Sequence, residues 1–414
     1  MQVFKFGGAS VKSAEALRNM AQILKLQKEK ILVVVSAMDK ITNALEKLFS
    51  AHFNNLSTID DFEIVKNFHL KIINDLFEDK TEVLNQFNIE LNKLGLFLEN
   101  NKSKDFDFVY DQIVSFGEIF STIIISHYLN SIGIKNKFLD ARQIVLTDYN
   151  YRYASILTEQ TQANLQKIVT FQDCNFYIIQ GFIGTDNKGN TTTLGREGSD
   201  YSASTFANLL NAQNLTLWKD VAGIYNADPK IFPNALKLNI ISYREATELA
   251  YFGAKIIHPK TARPLMLKNI PLYIRSFKNP AETGTNVQNV DEPINPLVPI
   301  YIFNPNQVLV TIYNDDFIDE NLYEQVYSTF KKFKTKINLI QNSALNLSVC
   351  FDFNSNNFNE LINQLKQQFQ LRYNTELTLL NIRHYQNIEK IDFLNDKQVL
   401  MEQKSRLNAM FLYK

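Results

Sequence analysis

The sequence predicts an α/β protein with a mostly parallel open sheet, followed by a smaller α+β module. Three observations carry this. Residues 31–36 (ILVVVS) and 176–181 (FYIIQG) are short and continuously apolar, as strands buried on both faces must be. Such runs alternate with segments of helical periodicity, the pattern of strand–helix–strand units. Residues 290–299 (VDEPINPLVP) carry three prolines and two acidic residues, a linker signal, and a different element order follows them.

The elements follow in order. Gln2–Phe6 alternates apolar and polar side chains and reads as a first strand, with Lys5 near its end. Gly7, Gly8, Ala9 and Ser10 form a turn, and residues 13–26 place Ala16, Leu17, Met20, Ile23 and Leu24 at helical spacing. Residues 41–50, then about 60 to 130, read as helices, including one long run over 108–129. Residues 138–140 and 144–146 read as short strands, as does 215–218 before the loop 219–223. In parallel sheets ligands collect beyond the carboxyl ends of the strands. Past the linker, strands are expected at 307–312, 337–341, 344–351 and 373–380, with helices at 319–334 and 358–369. That is β-α-β-β-α-β, the ferredoxin-like split unit.

Composition bounds the function. The 414 residues favour two or three domains, and 45% hydrophobic content supports sizeable cores. Lys+Arg and Asp+Glu are 43 each, so no global basic field exists to attract nucleic acid or an anionic membrane. Five histidines lack zinc-ligand spacing, and no metal site is expected. Cys174 and Cys350 read as small buried hydrophobes in a reducing compartment. No run of about 18 apolar residues and no signal peptide are visible, so a cytoplasmic location is expected.

Two glycine turns carry the chemistry. The first, after Lys5, brings backbone N–H groups and a helix N-terminus toward one point, a cradle for phosphates. It is neither a P-loop nor a dinucleotide fingerprint, since GxxxxGK[ST] and GxGxxG are both absent. The second is Thr193-Leu194-Gly195-Arg196-Glu197-Gly198-Ser199-Asp200, ahead of a helical run over 201–210. Its glycines admit an anion, and Arg196 can grip a carboxylate or phosphate bidentately. Taken singly, each also reads as an ordinary tight connection. Lys5 then becomes a surface strand-end lysine, Glu118 a solvated helix charge and Asp200 a helix N-cap.

Together the turns resemble the two signatures of the aspartate kinases, in the amino-acid kinase family. Lys5-Phe6-Gly7-Gly8-Ala9-Ser10 is similar to the opening signature, and residues 193–200 to the second. Ser36-Ala37 with Thr42-Asn43 is similar to the family's substrate-side loop, residues 218–230 to its nucleotide segment, and residues 253–259 (GAKIIHP) to its last kinase motif.

The resemblance implies a three-layer αβα catalytic domain over 1–290 that phosphorylates the side-chain carboxylate of L-aspartate with MgATP, opening lysine, threonine and methionine biosynthesis. It implies catalytic roles for Lys5 and Asp200. Thr42, Glu118, Arg196 and Ser199 would bind aspartate. Lys5, Phe6, Gly7, Gly8, Ser10, Lys219, Asp220, Tyr225, Lys230 and Lys255 would bind ATP, with Mg2+ carried by the nucleotide. Lys219 departs from the commoner threonine, and Glu197 replaces the glycine usual between the arginine and the next glycine. Residues 300–414 resemble the ACT regulatory modules of these enzymes, shortened, since two complete modules are common. Because an isolated module of this kind has exposed strand edges and the short tail cannot supply a whole partner, a homodimer through residues from about 300 onward is expected, with any amino-acid effector between modules and Asn338, Gln341, Asn342 and Ser343 as polar candidates there or as turn and strand-end residues. Another amino-acid or carbamate kinase of the same fold, and a catalytically silent ligand sensor, are the competing readings.

Overall fold

The computed structural model describes residues 1–254, 257–313, 317–385 and 392–414. The chain forms two compact units. The first comprises Met1–Ile224, Lys237–Thr247 and Ile257–Pro296, and the second Tyr225–Leu236, Glu248–Ile256 and Leu297–Lys414.

The first unit is built on a nine-stranded sheet. Its order is Ile294–Asn295, Ile240–Ser242, Thr285–Gln288, Leu272–Ser276, Leu215–Lys219, Gln2–Phe6, Ile31–Val35, Phe176–Gln180 and Asn136–Leu139. The five neighbours from Leu272–Ser276 to Phe176–Gln180 are all parallel, and Lys5 lies in register with Val34 on one side and Leu217 on the other. Ile31–Val35 and Phe176–Gln180 are buried at every position, because helices cover both faces and leave no polar side to alternate with. The helix Ala14–Lys25 begins at Ser13, whose hydroxyl accepts the Ala16 amide, and it buries Leu17, Met20, Ile23 and Leu24.

Three expectations change. The run over 108–129 is two helices, Phe106–Val114 and Phe116–Ser131, meeting at Ser115. This stretch is long and apolar enough to cross a membrane, but 83% of its most apolar window is buried in the protein, so the apolar surface serves the core. Residues 144–146 form no strand. A single bridge from Leu146 to Thr185 remains, because the chain has already turned through a short 3-10 helix, Ala141–Gln143. Ile294–Asn295, inside the proline-rich stretch, pairs antiparallel with Ile240 and Ile241.

The second unit holds a six-stranded antiparallel sheet in the order Ile337–Asn342, Asn346–Asp352, Ile300–Tyr313, Gln370–Arg383, Asn408–Tyr413, Val399–Lys404. Its first four strands with the helices Glu320–Lys332 and Phe358–Gln368 reproduce the split β-α-β-β-α-β order. The helices seal a core of Val308, Val310, Val326, Phe330, Val349 and Leu361 on one face. The two tail strands do not build a separate module. They extend the sheet from the C-terminal half of Gln370–Arg383 and bury Leu377, Leu379, Met401 and Leu412.

Candidate active site

The carboxyl ends of the central parallel strands open on one cavity of about 510 Å3. Lys5 lies one residue before the end of Gln2–Phe6, and Ser36 and Ala37 follow Ile31–Val35. The turn at Gly195 leads into the helix Gly198–Leu209, which carries Ser199 and Asp200 in its first turn. Lys5, Gly8, Thr42, Glu118, Arg196, Ser199 and Asp200 all line this cavity. Residues almost 200 positions apart are therefore neighbours.

Lys5 Nζ is 2.5 Å from Asp200 Oδ1, and Lys219 Nζ is 3.5 Å from Asp200 Oδ2. Burial alone would push the Asp200 carboxyl up, but the two lysines outweigh it and hold the group below the usual carboxylate range. Asp200 is thus a fixed anion between two cations. It does not cap the helix: the N-cap position is Glu197, in left-handed conformation at φ 54°. The chain keeps that backbone path without the glycine that tolerates it best.

Glu118 sits in the first turn of Phe116–Ser131. Gly117 permits this, because a Cβ there would lie 2.8 Å from the Ala37 side chain. Glu118 Oε1 accepts the Ala37 amide at 3.2 Å, while buried Oε2 has no hydrogen-bond partner among the described residues. Burial drives the carboxyl up to about 8, against the pull of the Ala37 amide and Lys5. An acid that is neutral when its cavity is empty, with one oxygen unsatisfied, is suited to receive a cation. Ser121 Oγ donates to Ser36 O at 2.7 Å and ties the same helix to the same loop.

Not every residue expected at the site reaches it by its side chain. Phe6 is buried against Trp218, ring centroids 6.0 Å apart, so only its backbone can face a ligand. Ser10 Oγ donates to Trp218 O at 2.8 Å and joins two strand ends. Asp220 is exposed, and Tyr225 and Lys230 belong to the second unit; none of the three lines the cavity. Lys255 lies outside the described residues. Asp39, Tyr110, Arg152 and Tyr153 line the cavity unanticipated. Asp111, fully buried, accepts the Thr193 hydroxyl at 2.6 Å, the Thr193 amide at 2.8 Å and the Arg152 amide at 2.9 Å. Its only trace in the sequence is an acidic residue inside an apolar helical run.

The chain resembles known proteins in sequence and in fold. Residues 1–276 match the model of the amino acid kinase family. Aspartokinase 1 of Arabidopsis thaliana chloroplasts is 32% identical over 87% of this chain, which spans 65% of that protein's length, just under two thirds. The lysine-sensitive aspartokinase 3 of Escherichia coli is 31% identical over 84% of this chain and 78% of its own. The chain belongs to the amino acid kinase family, among its aspartokinases. The crystal structure of E. coli aspartokinase III with lysine and aspartate superposes with a TM-score of 0.85 at 26% identity, over all of this chain and 95% of the other. A second structure of that enzyme, with aspartate and ADP, gives 0.82 over all of this chain and 96% of the other. Aspartokinases phosphorylate aspartate with ATP, the first step toward the aspartate-derived amino acids.

Proposed function

We propose that this chain transfers the γ-phosphoryl group of MgATP to the side-chain carboxylate of L-aspartate, giving 4-phospho-L-aspartate and ADP. The observation that carries the reading is the Lys5–Asp200–Lys219 arrangement, with Lys5 and Asp200 lining one cavity together with Glu118, whose Oε2 lacks a partner among the described residues. Nucleophile and phosphate are both anionic, so positioning and charge neutralisation supply most of the catalysis. Lys5 stabilises the transferring group and Asp200 orients Lys5. A general base is unnecessary, because the attacking carboxylate is already ionised near neutral pH. Glu118 receives the substrate ammonium, ionising as it does so. Arg196 clamps the α-carboxylate, and Thr42 and Ser199 add hydroxyl donors. Gly7 and Gly8 offer backbone N–H groups to the phosphates, and Lys219 and Asp220 lie on the nucleotide side. For Tyr225, Lys230 and Lys255 a nucleotide role rests on the family resemblance alone. Mg2+ arrives with the nucleotide.

We assign residues 1–290 as catalytic and 300–414 as regulatory, with a homodimer formed through the latter. Among the described residues Ile337–Asn342 is an edge strand, and an unpaired edge favours pairing with another copy. Asn338 faces inward, donating to Gln307 Oε1 and Asp352 Oδ1, both at 2.9 Å, which leaves Gln341, Asn342 and Ser343 as the polar groups for an interface. Lysine, present in the E. coli structure, is the first effector to titrate.

A coupled assay offering aspartate, glutamate, N-acetylglutamate and carbamate tests the reaction. Turnover confined to aspartate is expected, and turnover of another acceptor alone overturns the reading. Light scattering of the full chain tests the assembly, which a monomer refutes.

A further inference from the structure

Arg152 lines the same cavity as Lys5, Glu118 and Arg196, yet it belongs to none of the motifs that mark the site. Three features hold it there. Its backbone is left-handed at φ 64°, a conformation that glycine adopts without strain and arginine does not. Its amide donates to buried Asp111 Oδ2 at 2.9 Å. Its guanidinium lies 4.5 Å from the Tyr110 ring centroid and 5.4 Å from that of Phe106, with Nη1 donating to Asp107 Oδ1 at 3.0 Å. Asp107, Tyr110 and Asp111 share one face of the helix Phe106–Val114, at i, i+3 and i+4. Among the described residues the guanidinium makes no other hydrogen bond.

Asp111 also grips Thr193 through its amide and hydroxyl, and Thr193 ends the strand that leads to Arg196. Gly195 sits at φ 77°, and a Cβ there would come within 3.0 Å of Arg152 O. The turns bearing Arg152 and Arg196 are thus in contact, and one buried carboxylate fixes both. Backbone strain persists where the surroundings enforce it, typically at ligand clamps. A planar fork stacked on an aromatic ring is pre-organised and loses little freedom on gripping a carboxylate.

We propose that Arg152 is a substrate-binding residue, paired with Arg196 as a two-guanidinium seat for the α-carboxylate of the amino-acid substrate. The assignment rests on the aspartate-kinase reading and names a determinant of specificity within it. It explains why a strained arginine occupies a position that glycine would fill at no cost. It also gives the aspartate α-carboxylate a cation distinct from Lys5, which serves the phosphate.

Steady-state kinetics of the full chain carrying Arg152→Gly, Arg152→Gln or Arg152→Lys test it. The glycine variant relieves the backbone strain but gives up the Asp107 pair and the ring contacts, so its melting temperature is expected to stay near that of the wild type. The Gly and Gln variants should raise KM for aspartate roughly tenfold or more while kcat and KM for ATP stay within about threefold, the signature of lost ground-state binding. Lysine should restore less than half of that loss, because it keeps the charge and lacks the fork. An active wild type whose folded Arg152→Gly variant keeps its KM for aspartate overturns the assignment alone. A wild type with no aspartate-dependent ATP turnover overturns the functional reading and this assignment with it.

Discussion

The two sheets solve different problems with the same chain. The nine-stranded sheet aligns its central strands in parallel, and the ends of three of them, Gln2–Phe6, Ile31–Val35 and Phe176–Gln180, open on one cavity. The six-stranded sheet is antiparallel, covered by helices on one face, and its buried Gln307 amide is satisfied within the sheet, although buried Asn381 Oδ1 has no partner among the described residues. Parallel order concentrates strand ends and helix N-termini on one side, where oriented amides can act on a ligand. Antiparallel order disperses them. The difference teaches where unbalanced charge is kept: Glu118, Asp111 and Asp200 all have displaced ionisation in the first unit, each buried beside the cavity. In the second, the buried Gln307 amide is matched by Asp352 and Asn338.

The sharpest test of this contrast is Lys5→Ala. Removing an oriented charge at a phosphoryl-transfer site is worth about 3–4 kcal/mol, so kcat should fall by about two orders of magnitude or more. Circular dichroism should show an unchanged fold, and near-wild-type turnover would end the assignment. In the second unit the reverse is expected. Gln307→Ala strips partners from Asn338 and Asp352 and should cost about 1–3 kcal/mol of stability. Denaturant melts would record that loss while kcat stays within about twofold; a large fall in kcat would mean that the two regions do not divide chemistry from structure.

Glu118 sharpens the comparison through pH. Burial pushes its carboxyl up to about 8, and the ammonium-binding role proposed for it requires the ionised form. Below that pH the free enzyme carries the wrong protonation state, so kcat/KM for aspartate should decline about tenfold per unit as pH falls from 8. Glu118→Gln should flatten this limb as well as raise KM; a wild-type profile level from pH 6 to 9 would contradict the geometry. The smallest effect is Glu197→Gly, which removes a side chain from a left-handed position. Relief of that strain, partly offset by unfolded-chain entropy, should raise stability by about 0.5–1 kcal/mol in thermal melts.

Much of this was legible before the structure. Continuous apolar runs gave the buried parallel strands, because a strand covered on both faces leaves no polar alternation to miss. The two glycine turns and Arg196 stood out because their chemistry is local. The split at Ser115 was not legible, since both flanking helices are apolar, no proline marks the junction, and the nearby Gly117 lies inside the second helix. Residues 144–146 have strand composition, yet the 3-10 turn before them leaves only a bridge. Asp111 and Arg152 were missed for a shared reason. Their significance lies in contacts across 41 and 82 positions of sequence, which no periodicity records. Ser10 shows the opposite error: a motif residue whose hydroxyl is committed to Trp218 O.

The position of Ile300–Tyr313 in the second sheet has a consequence in time. Its residues 307–313 have Asn346–Asp352 on one side and Gln370–Arg383 on the other, and several are buried. Each of their amides donates into a ladder in the interior of the sheet, so they should be among the last in this unit to trade hydrogen for deuterium. The tail strand Val399–Lys404 has a single partner strand among the described residues, so its amides should trade early. The sheet therefore keeps two clocks, a slow one at its middle and a fast one at the tail, and the fast one is where the unit yields first.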